Sequence, residues 1–470
     1  MANMHKRGNQ SGAVLLVGLI VLMVAMAAGL MALFGQRMGE GRKEAQTAQA
    51  LAQAKQGLLG YAANAAWWGS NERNCINQPS TECARPGELP CPDLHPAGDP
   101  ASGQAGSSTG NPCPANALGR LPWRTLGLPD LRDGSREQLW YARSERFRNR
   151  NRFTAGAGAL NPDTAFGQIT VRSSDGVTLL HQASAAPGAG TGAVAVIIAP
   201  GAPLRRLNNL QQNRGAANFL TAAHYLDCWG NGGCGVEDNA NFVSGSPTNG
   251  FIAGPIRVNG EVVVNDRVLT ISRNEVLSGM NQAVANQVAA SLNAFLVSTN
   301  QYLPSPASVS NAACLNTGAL GTSCPGVLGL RFGRIPATLA SPPTYWPNAT
   351  SALVFFDQPR SWFHRNGWRE HVFYALAPAC INDSPNCSAP GGLLTVNNPP
   401  GASIGNRQAV VIVGGATLPL QARISGADRA NLNNYLEEQN VLPPDDVFAK
   451  RVPVTVPVTP FNDAVATIPR

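Results

Sequence analysis

The sequence predicts an α+β chain: a long N-terminal transmembrane α-helix, then two tandem domains, each a helix packed on an antiparallel β-sheet. Three observations carry that expectation. An uncharged apolar run from Ala13 to Gly35 passes without a proline into an Ala- and Gln-rich stretch that reaches Ala66. β-Branched runs stand among 49 glycines and 36 prolines in 470 residues, a composition of strands joined by long turns rather than of a helical bundle. A series of landmarks between Leu89 and Ile271 then recurs, in the same order, between Leu303 and Ile468. The chain is also too long for one ordinary core. The expected organisation is a leader over 1–12, a transmembrane helix over 13–35, a periplasmic extension of that helix over 36–66, and domains over 67–273 and 274–470.

The apolar run exceeds the twenty or so residues that a bilayer core demands. At about 1.5 Å per residue a continuous helix from Ala13 to Ala66 would measure roughly 80 Å, a length whose surplus calls for a partner. Two blander readings compete. Ala25-Met26-Ala27 fits a secretory cleavage site, although mostly apolar residues follow it. A plain uncut anchor is the other; its orientation is poorly fixed because Arg37, Arg42 and Lys43 offset Lys6 and Arg7.

After the helix, Trp67-Trp68 and a cysteine-containing loop lead to Leu89-Pro90-Cys91-Pro92, extended because each proline fixes its own φ and biases its predecessor away from helix. Residues 93–117 read as a long loop. Trp123, Leu126, Leu128, Trp140 and Tyr141 are expected on the apolar face of a sheet. Ala193 to Ile198 reads as a fully buried strand ended by Pro200-Gly201, and Asn265-Asp266 opens the strand Arg267 to Ile271. The glycines at 188, 190 and 192 precede a strand instead of joining a strand to a helix, so they do not form a phosphate loop.

The second domain opens on a helix at about 275–298, where Val276, Met280, Val284, Val288, Leu292 and Leu296 form one stripe four residues apart. Leu303-Pro304-Ser305-Pro306 follows, as Leu89-Pro90-Cys91-Pro92 follows the first helix. Phe373-Tyr374-Ala375 answers Trp140-Tyr141-Ala142, Ala409 to Val413 answers the strand at 193–198, Tyr435-Leu436 answers Tyr225-Leu226, and Asn462 to Ile468 answers Asn265 to Ile271. Unequal offsets between landmarks are expected where loops absorb insertions.

Lys6 and Arg7, then Ser11-Gly12 before Ala13-Val14-Leu15-Leu16 and an Ala-rich helix, resemble the class III signal of type IV pilins and type II secretion pseudopilins. The LPCP and LPW-x-TLGL segments followed by a Tyr-containing strand are similar to heads of pseudopilin-like proteins. The resemblance implies cutting by a prepilin peptidase after Gly12, with Ala13 as the new N-terminus, and packing with other pilin or pseudopilin subunits. One departure stands out: Val17 occupies the fifth mature position, where most such subunits carry a Glu that neutralises a neighbour's amine. That absence is similar to K-type tip pseudopilins and PilX-type minor pilins, and implies a non-enzymatic minor subunit at or near a filament tip, single-pass in the inner membrane of a Gram-negative bacterium with both heads in the periplasm.

The ten cysteines, Cys75, Cys83, Cys91, Cys113, Cys228, Cys234, Cys314, Cys324, Cys380 and Cys387, all follow the apolar run as sequence-near pairs. Disulfides in an oxidising compartment are the natural reading, and pairing neighbours closes the smallest loops, although spacing leaves connectivity open. Zinc is the rival, without a C-x-x-C to favour it. Charge is modest at +7, but Arg143, Arg146, Arg148, Arg150 and Arg152 form a strip that suits an anionic partner, nucleic acid included; a solvated face is the bland alternative. This gives the alternative function of a membrane-anchored adhesin or DNA-capturing subunit. Neither G-x-S-x-G nor a nucleophile beside paired histidines is present. His364 and His371, with Asp357 upstream, form the one histidine cluster, and Asp266, Asp463 and Asp445-Asp446 lack the D-x-D-x-D spacing of a calcium loop. No cofactor or metal is expected.

Overall fold

The structure, a computed structural model, describes residues 39–64, 85–106, 113–114, 116–148, 159–184, 191–298, 302–315, 324–338, 361–381, 392–398, 401–441, 446–451 and 461–469. The first helix, α1, covers residues 39–62. Its Ala50, Leu51, Ala54, Leu58 and Ala62 recur at three- and four-residue steps and are buried, whereas Gln49, Gln53 and Gln56 are exposed, the two faces of an amphipathic helix.

The chain is α+β, but the expected transmembrane helix and the inner-membrane, single-pass location that followed from it are corrected. Among the described residues no helix is long and apolar enough to cross a membrane. The physical reason is composition. Helix α1 carries Glu40, Arg42, Lys43, Glu44 and Lys55, and the next long helix carries Asn281, Gln282, Asn286 and Gln287. Residues 1–35, on which the leader and the span were placed, lie outside the described residues.

A four-stranded antiparallel sheet and, later in the chain, a six-stranded mixed sheet with a matching antiparallel four-strand core follow. The first has β1 (Leu118–Arg120), β2 (Trp140–Arg143), β3 (Ala195–Ala199) and β4 (Arg267–Ile271) side by side in that order. The second has β5 (Phe332–Arg334), β6 (Val372–Leu376), β7 (Ile404–Val413) and β8 (Ala464–Pro469), again neighbours in that order. Their registers agree residue for residue. Tyr141 faces Ile197 and Tyr374 faces Val411; Thr270 faces Val196 and Thr467 faces Val410; Gly119 faces Tyr141 and Gly333 faces Tyr374. A parallel strand pair accompanies each: Thr170–Arg172 with Gly250–Ile252 in a separate five-stranded sheet of the first half, and Leu394–Asn397 with Val447–Ala449 as the outer strands of the second sheet itself, joined to it through β7.

The alternation of strand side chains divides the first sheet's two faces. Tyr141, Ala195, Ile197 and Ala199 join the core that contains α1, while Trp140, Ala142, Val196 and Ile198 pack with Ile169, Val171 and Phe251. A sheet covered on both sides explains why Ala193 to Ile198 carries no polar residue.

Helix α2, Arg273–Ser298, starts in a capping box. The Ser272 N–H and Oγ–H both donate to Glu275 Oε2 at 2.8 Å, and the Glu275 N–H returns to Ser272 Oγ at 3.4 Å. The six residues of its expected stripe are all buried, but so are Leu277, Asn281, Ala285, Ala289, Ser291 and Phe295. One stripe was too few because α2 lies on β7 and β8 while also meeting the first half. Lys55 Nζ reaches Glu275 at 2.6 Å and the Thr270 carbonyl at 2.9 Å, and a Cβ on Gly279 would stand 3.3 Å from that of Ala63. Both helices and both sheets therefore share one continuous core. Disulfides join Cys91 to Cys113, Cys228 to Cys234 and Cys314 to Cys324. Cys380 is also disulfide-bonded, and Cys75, Cys83 and Cys387 lie outside the described residues.

Candidate functional site

The most elaborate polar construction occurs twice, once behind each sheet. In the first half β1 ends on Arg120, brought inward because Gly119 lies against the preceding segment; a Cβ there would stand 2.6 Å from the Asp93 carbonyl oxygen. The Arg120 guanidinium stacks 4.3 Å from the Trp140 ring and 3.9 Å from the Tyr225 ring, and donates to the carbonyls of Gln138 and Phe219 at 3.2 and 3.1 Å. A second arginine, Arg214, stands 5.3 Å from the same tyrosine ring and donates to the Gly201 carbonyl at 2.6 Å. Cation–π contacts strengthen when they are desolvated, as here. Burial lowers the Arg120 pKa to about 10, which leaves it charged at neutral pH.

Beside this stack lies a buried carboxyl pair. Asp266 Oδ2 accepts from the Asp227 N–H at 2.7 Å and from Asn239 Nδ2 at 2.8 Å, while Asp227 accepts from the Asn265 N–H at 2.7 Å and from Gln212 Nε2 at 3.0 Å. Burial raises Asp227 to about 6, and burial together with the Asp227 charge pushes Asp266 well above the usual carboxylate range. Two like charges so close favour a bound proton.

The second half repeats the set. Arg334 stacks 4.8 Å from the Phe373 ring and 5.2 Å from Tyr435, donating to the carbonyls of Glu370 and Arg429. Arg423 stands 4.2 Å from the Tyr435 ring and donates to the Gly415 carbonyl at 3.0 Å. Asp463 Oδ2 accepts from the Glu437 N–H at 3.0 Å and from Asn440 Nδ2 at 2.9 Å, and Gln421 Nε2 donates to Glu437 at 3.1 Å. Burial raises both carboxyl groups again.

A third polar cluster joins the halves. The first-half segment around Asn161 meets Asn366 through its Nδ2, which donates to the Asn366 carbonyl at 2.6 Å, and through the Leu160 N–H, 2.9 Å from Asn366 Oδ1. Asp163 accepts from Arg423 at 2.7 Å and from Thr417 at 3.1 Å, with His371 Nε2 3.8 Å away. Arg273 donates to the Pro162 carbonyl. Burial raises Asp163, but its two cationic neighbours override that and hold it below the usual range. Arg423 supplies that effect at neutral pH, since burial lowers His371 to about 4 and leaves it neutral there. An Asp–His pair invites a catalytic reading, yet no hydroxyl or thiol nucleophile bonds to this imidazole among the described residues. The cluster is built to fasten two pieces of chain.

The residues singled out from the sequence meet varied fates. Gly12, Ala13 and Val17 lie outside the described residues, as do Arg150, Arg152 and Asp357. The rest of the arginine strip is not an outward strip. Arg143 is fully buried, Arg146 donates through Nε to the Thr164 carbonyl at 3.0 Å, and Arg148 pairs with Glu145 at 3.0 Å. Phe147 between them is buried, so no stacking platform for bases forms there. Asp266 and Asp463 each spend Oδ2 on N–H donors, while Oδ1 of both is buried without a hydrogen-bond partner among the described residues. Among the described residues no group of three or more His, Cys, Asp or Glu side chains could hold a metal ion. His364 is buried in a short helix, Trp362–Arg365, capped by Ser361. The large open groove between α1 and the turn at Asp133 to Ser135, about 870 Å³, carries Lys43, Glu44, Arg257 and Arg267 on its walls and no convergent set of titrating groups. No family model, curated protein or solved structure matches the chain.

Sequence reasoning missed Arg120, Arg334, Arg214 and Arg423, which hold the two stacks. A signal was present: Gly119-Arg120 follows Leu89-Pro90 at the same distance as Gly333-Arg334 follows Leu303-Pro304.

Proposed function

We propose that this chain is a non-enzymatic subunit of a type IV pilus or type II secretion-like filament, a minor pilin or pseudopilin that works at or near the tip in assembly or priming. The observation that carries the reading is the class III signal motif, Lys6-Arg7 and Ser11-Gly12 before Ala13-Val14-Leu15-Leu16, ahead of an Ala-rich helix. Support comes from the architecture, a helix laid on a four-stranded antiparallel sheet and then a second helix laid on a six-stranded sheet that repeats the same antiparallel core. The two arginine stacks and the Asp163 cluster also serve to hold the fold, which suits a building block more than a catalyst. Val17, in place of the carboxylate that would receive a neighbour's amine, favours a subunit with nothing stacked above it.

The alternative, an adhesin or DNA-capturing subunit, draws on the arginine strip and loses support from the inward roles of Arg143, Arg146 and Arg148. The experiment is isolation of assembled filaments from cells that express the tagged chain. Co-purification with other pilin or pseudopilin subunits, at a copy number far below that of the major subunit, is the expected result. Filaments made of this chain alone would exclude the tip assignment. Salt-sensitive DNA binding by the purified chain without such partners would favour the alternative.

A further inference from the structure

We propose that the Cys91–Cys113 disulfide is a reactive, reducible bond in which Cys113 is the leaving sulfur and Arg143 the group that holds its thiolate, so that this bond is a site of thiol–disulfide exchange with dithiols. The starting observation is a buried guanidinium that makes no hydrogen bond to a carboxylate and bonds a sulfur instead, with Glu145 and Glu88 acting on it only through their charge. Arg143 ends strand β2 at zero exposure, and its Nε and Nη1 have no hydrogen-bond partner among the described residues. Its one side-chain hydrogen bond runs from Nη2 to Cys113 Sγ at 2.7 Å. A neutral disulfide sulfur is a weak acceptor, and a buried guanidinium is costly unless it is paired. Conversion of Cys113 to a thiolate would place a negative charge directly on the hydrogen bond that the guanidinium already makes.

The surroundings strengthen the case. Arg148 donates to the Cys113 carbonyl at 2.9 Å and pairs with Glu145 at 3.0 Å. Glu88 receives the Arg85 N–H at 3.0 Å. Cys91 and Cys113 are both half-buried and reachable, whereas Cys314 and Cys324 are almost wholly covered and the Cys228–Cys234 pair has one covered sulfur, Cys228, and one half-buried, Cys234. The second half has no counterpart, because Ser305, buried, stands where Cys91 stands in the first.

The chemistry balances without any group beyond the dithiol. One thiolate of the reagent attacks Cys91 Sγ, the S–S bond breaks with its electron pair on Cys113 Sγ, and a mixed disulfide remains on Cys91. The reagent's second sulfur, as thiolate, attacks that mixed disulfide, closes the oxidised reagent and expels the Cys91 thiolate, which takes a proton from water. Two electrons pass from the dithiol to the protein, and Cys113 stays ionised against Arg143. A leaving thiol of lowered pKa departs faster, and basic neighbours lower a cysteine pKa by one to several units.

The test is timed reduction of the whole folded protein with dithiothreitol, acid quench, alkylation and peptide mass mapping. Cys91 and Cys113 should become alkylated about tenfold sooner than Cys228, Cys234, Cys314 and Cys324. With glutathione in place of the dithiol, the trapped adduct should sit on Cys91 rather than Cys113. Arg143→Met should slow opening about tenfold while Arg143→Lys keeps most of the rate, which separates charge from exposure. Opening no earlier than the other pairs, glutathione on Cys113, or an unchanged rate in Arg143→Met would overturn the proposal. Should Arg143→Met fail to fold, the order of opening and the site of the adduct in the unmodified protein still decide it.

Discussion

The two halves use one frame with different trimmings. Both stack an arginine between the aromatic of the second strand and a tyrosine, Arg120 with Trp140 and Tyr225 or Arg334 with Phe373 and Tyr435, and both place a second arginine against that tyrosine. Both fix the start of their last strand through an Asn-Asp pair whose aspartate meets a second buried acid. What differs lies at the rim. The first half has a small hairpin, in which Arg205 bridges Gln211, where the second has a tight turn at Leu420, and it has Cys91 where the second has Ser305. Groups that hold the frame keep their chemistry; groups that face the other half or solvent change theirs. Gln138 in the first half corresponds by register to His371 in the second, and only His371 meets Asp163.

The strongest way to break this comparison is to remove an arginine from one stack at a time. Arg334→Ala and Arg120→Ala should each cost about 3–5 kcal/mol, from the unfilled space between rings and the carbonyls left without a donor. Denaturant unfolding measures both. A large loss in one and a loss under about 1 kcal/mol in the other would show that the stacks are not equivalent.

Next in size is Leu292→Ala on α2, expected to cost about 2–5 kcal/mol. Because α2 packs against the second sheet and also meets α1, both halves should lose protease resistance together. Loss confined to 303–470 would mean that the shared core does not couple them.

Asp163→Asn sharpens the contrast between frame and fastening. Arg423 would lose its anion at the junction, at a cost of about 1–3 kcal/mol, and hydrogen exchange should rise around Asn161 and Asn366 but not at Asp227 or Asp266. Exchange that rises evenly through both halves would contradict the local role.

The smallest expected effect is the pH dependence, and its two sources have opposite sign. His371 has a folded pKa of about 4, below its usual 6.5, so the unfolded chain binds the extra proton and stability falls as pH drops between those values. Asp227 has a folded pKa of about 6, above its usual 3.8, so the folded chain binds the extra proton and stability falls as pH rises through that window. Each contributes at most about 1.4 kcal/mol per pH unit. His371→Asn should remove the acid-side loss and Asp227→Asn the opposing one, read as Tm against pH. Unchanged profiles in both variants would refute the assignment.

The strands were legible where packing writes a pattern. Trp140-Tyr141-Ala142 and Phe373-Tyr374-Ala375 stand at matching register, as do Ile271 and Ile468. Composition could not show which arginines turn inward, because charge alone reads as surface; Arg120 and Arg334 are inside through stacking rings and carbonyls contributed by distant segments, and Arg143 through its contact with Cys113. The single stripe expected on α2 undercounted its contacts for a similar reason, since the approach of α1 through Ala63 and Gly279 is a tertiary event. The Asp163 cluster was invisible, as its members come from four separated stretches.

The most direct measurement of the central claim, a filament subunit with a class III signal, is the mass of the mature chain from its native host. The account predicts an N-terminus at Ala13. An intact start at Met1, or one near Ala28, would contradict it.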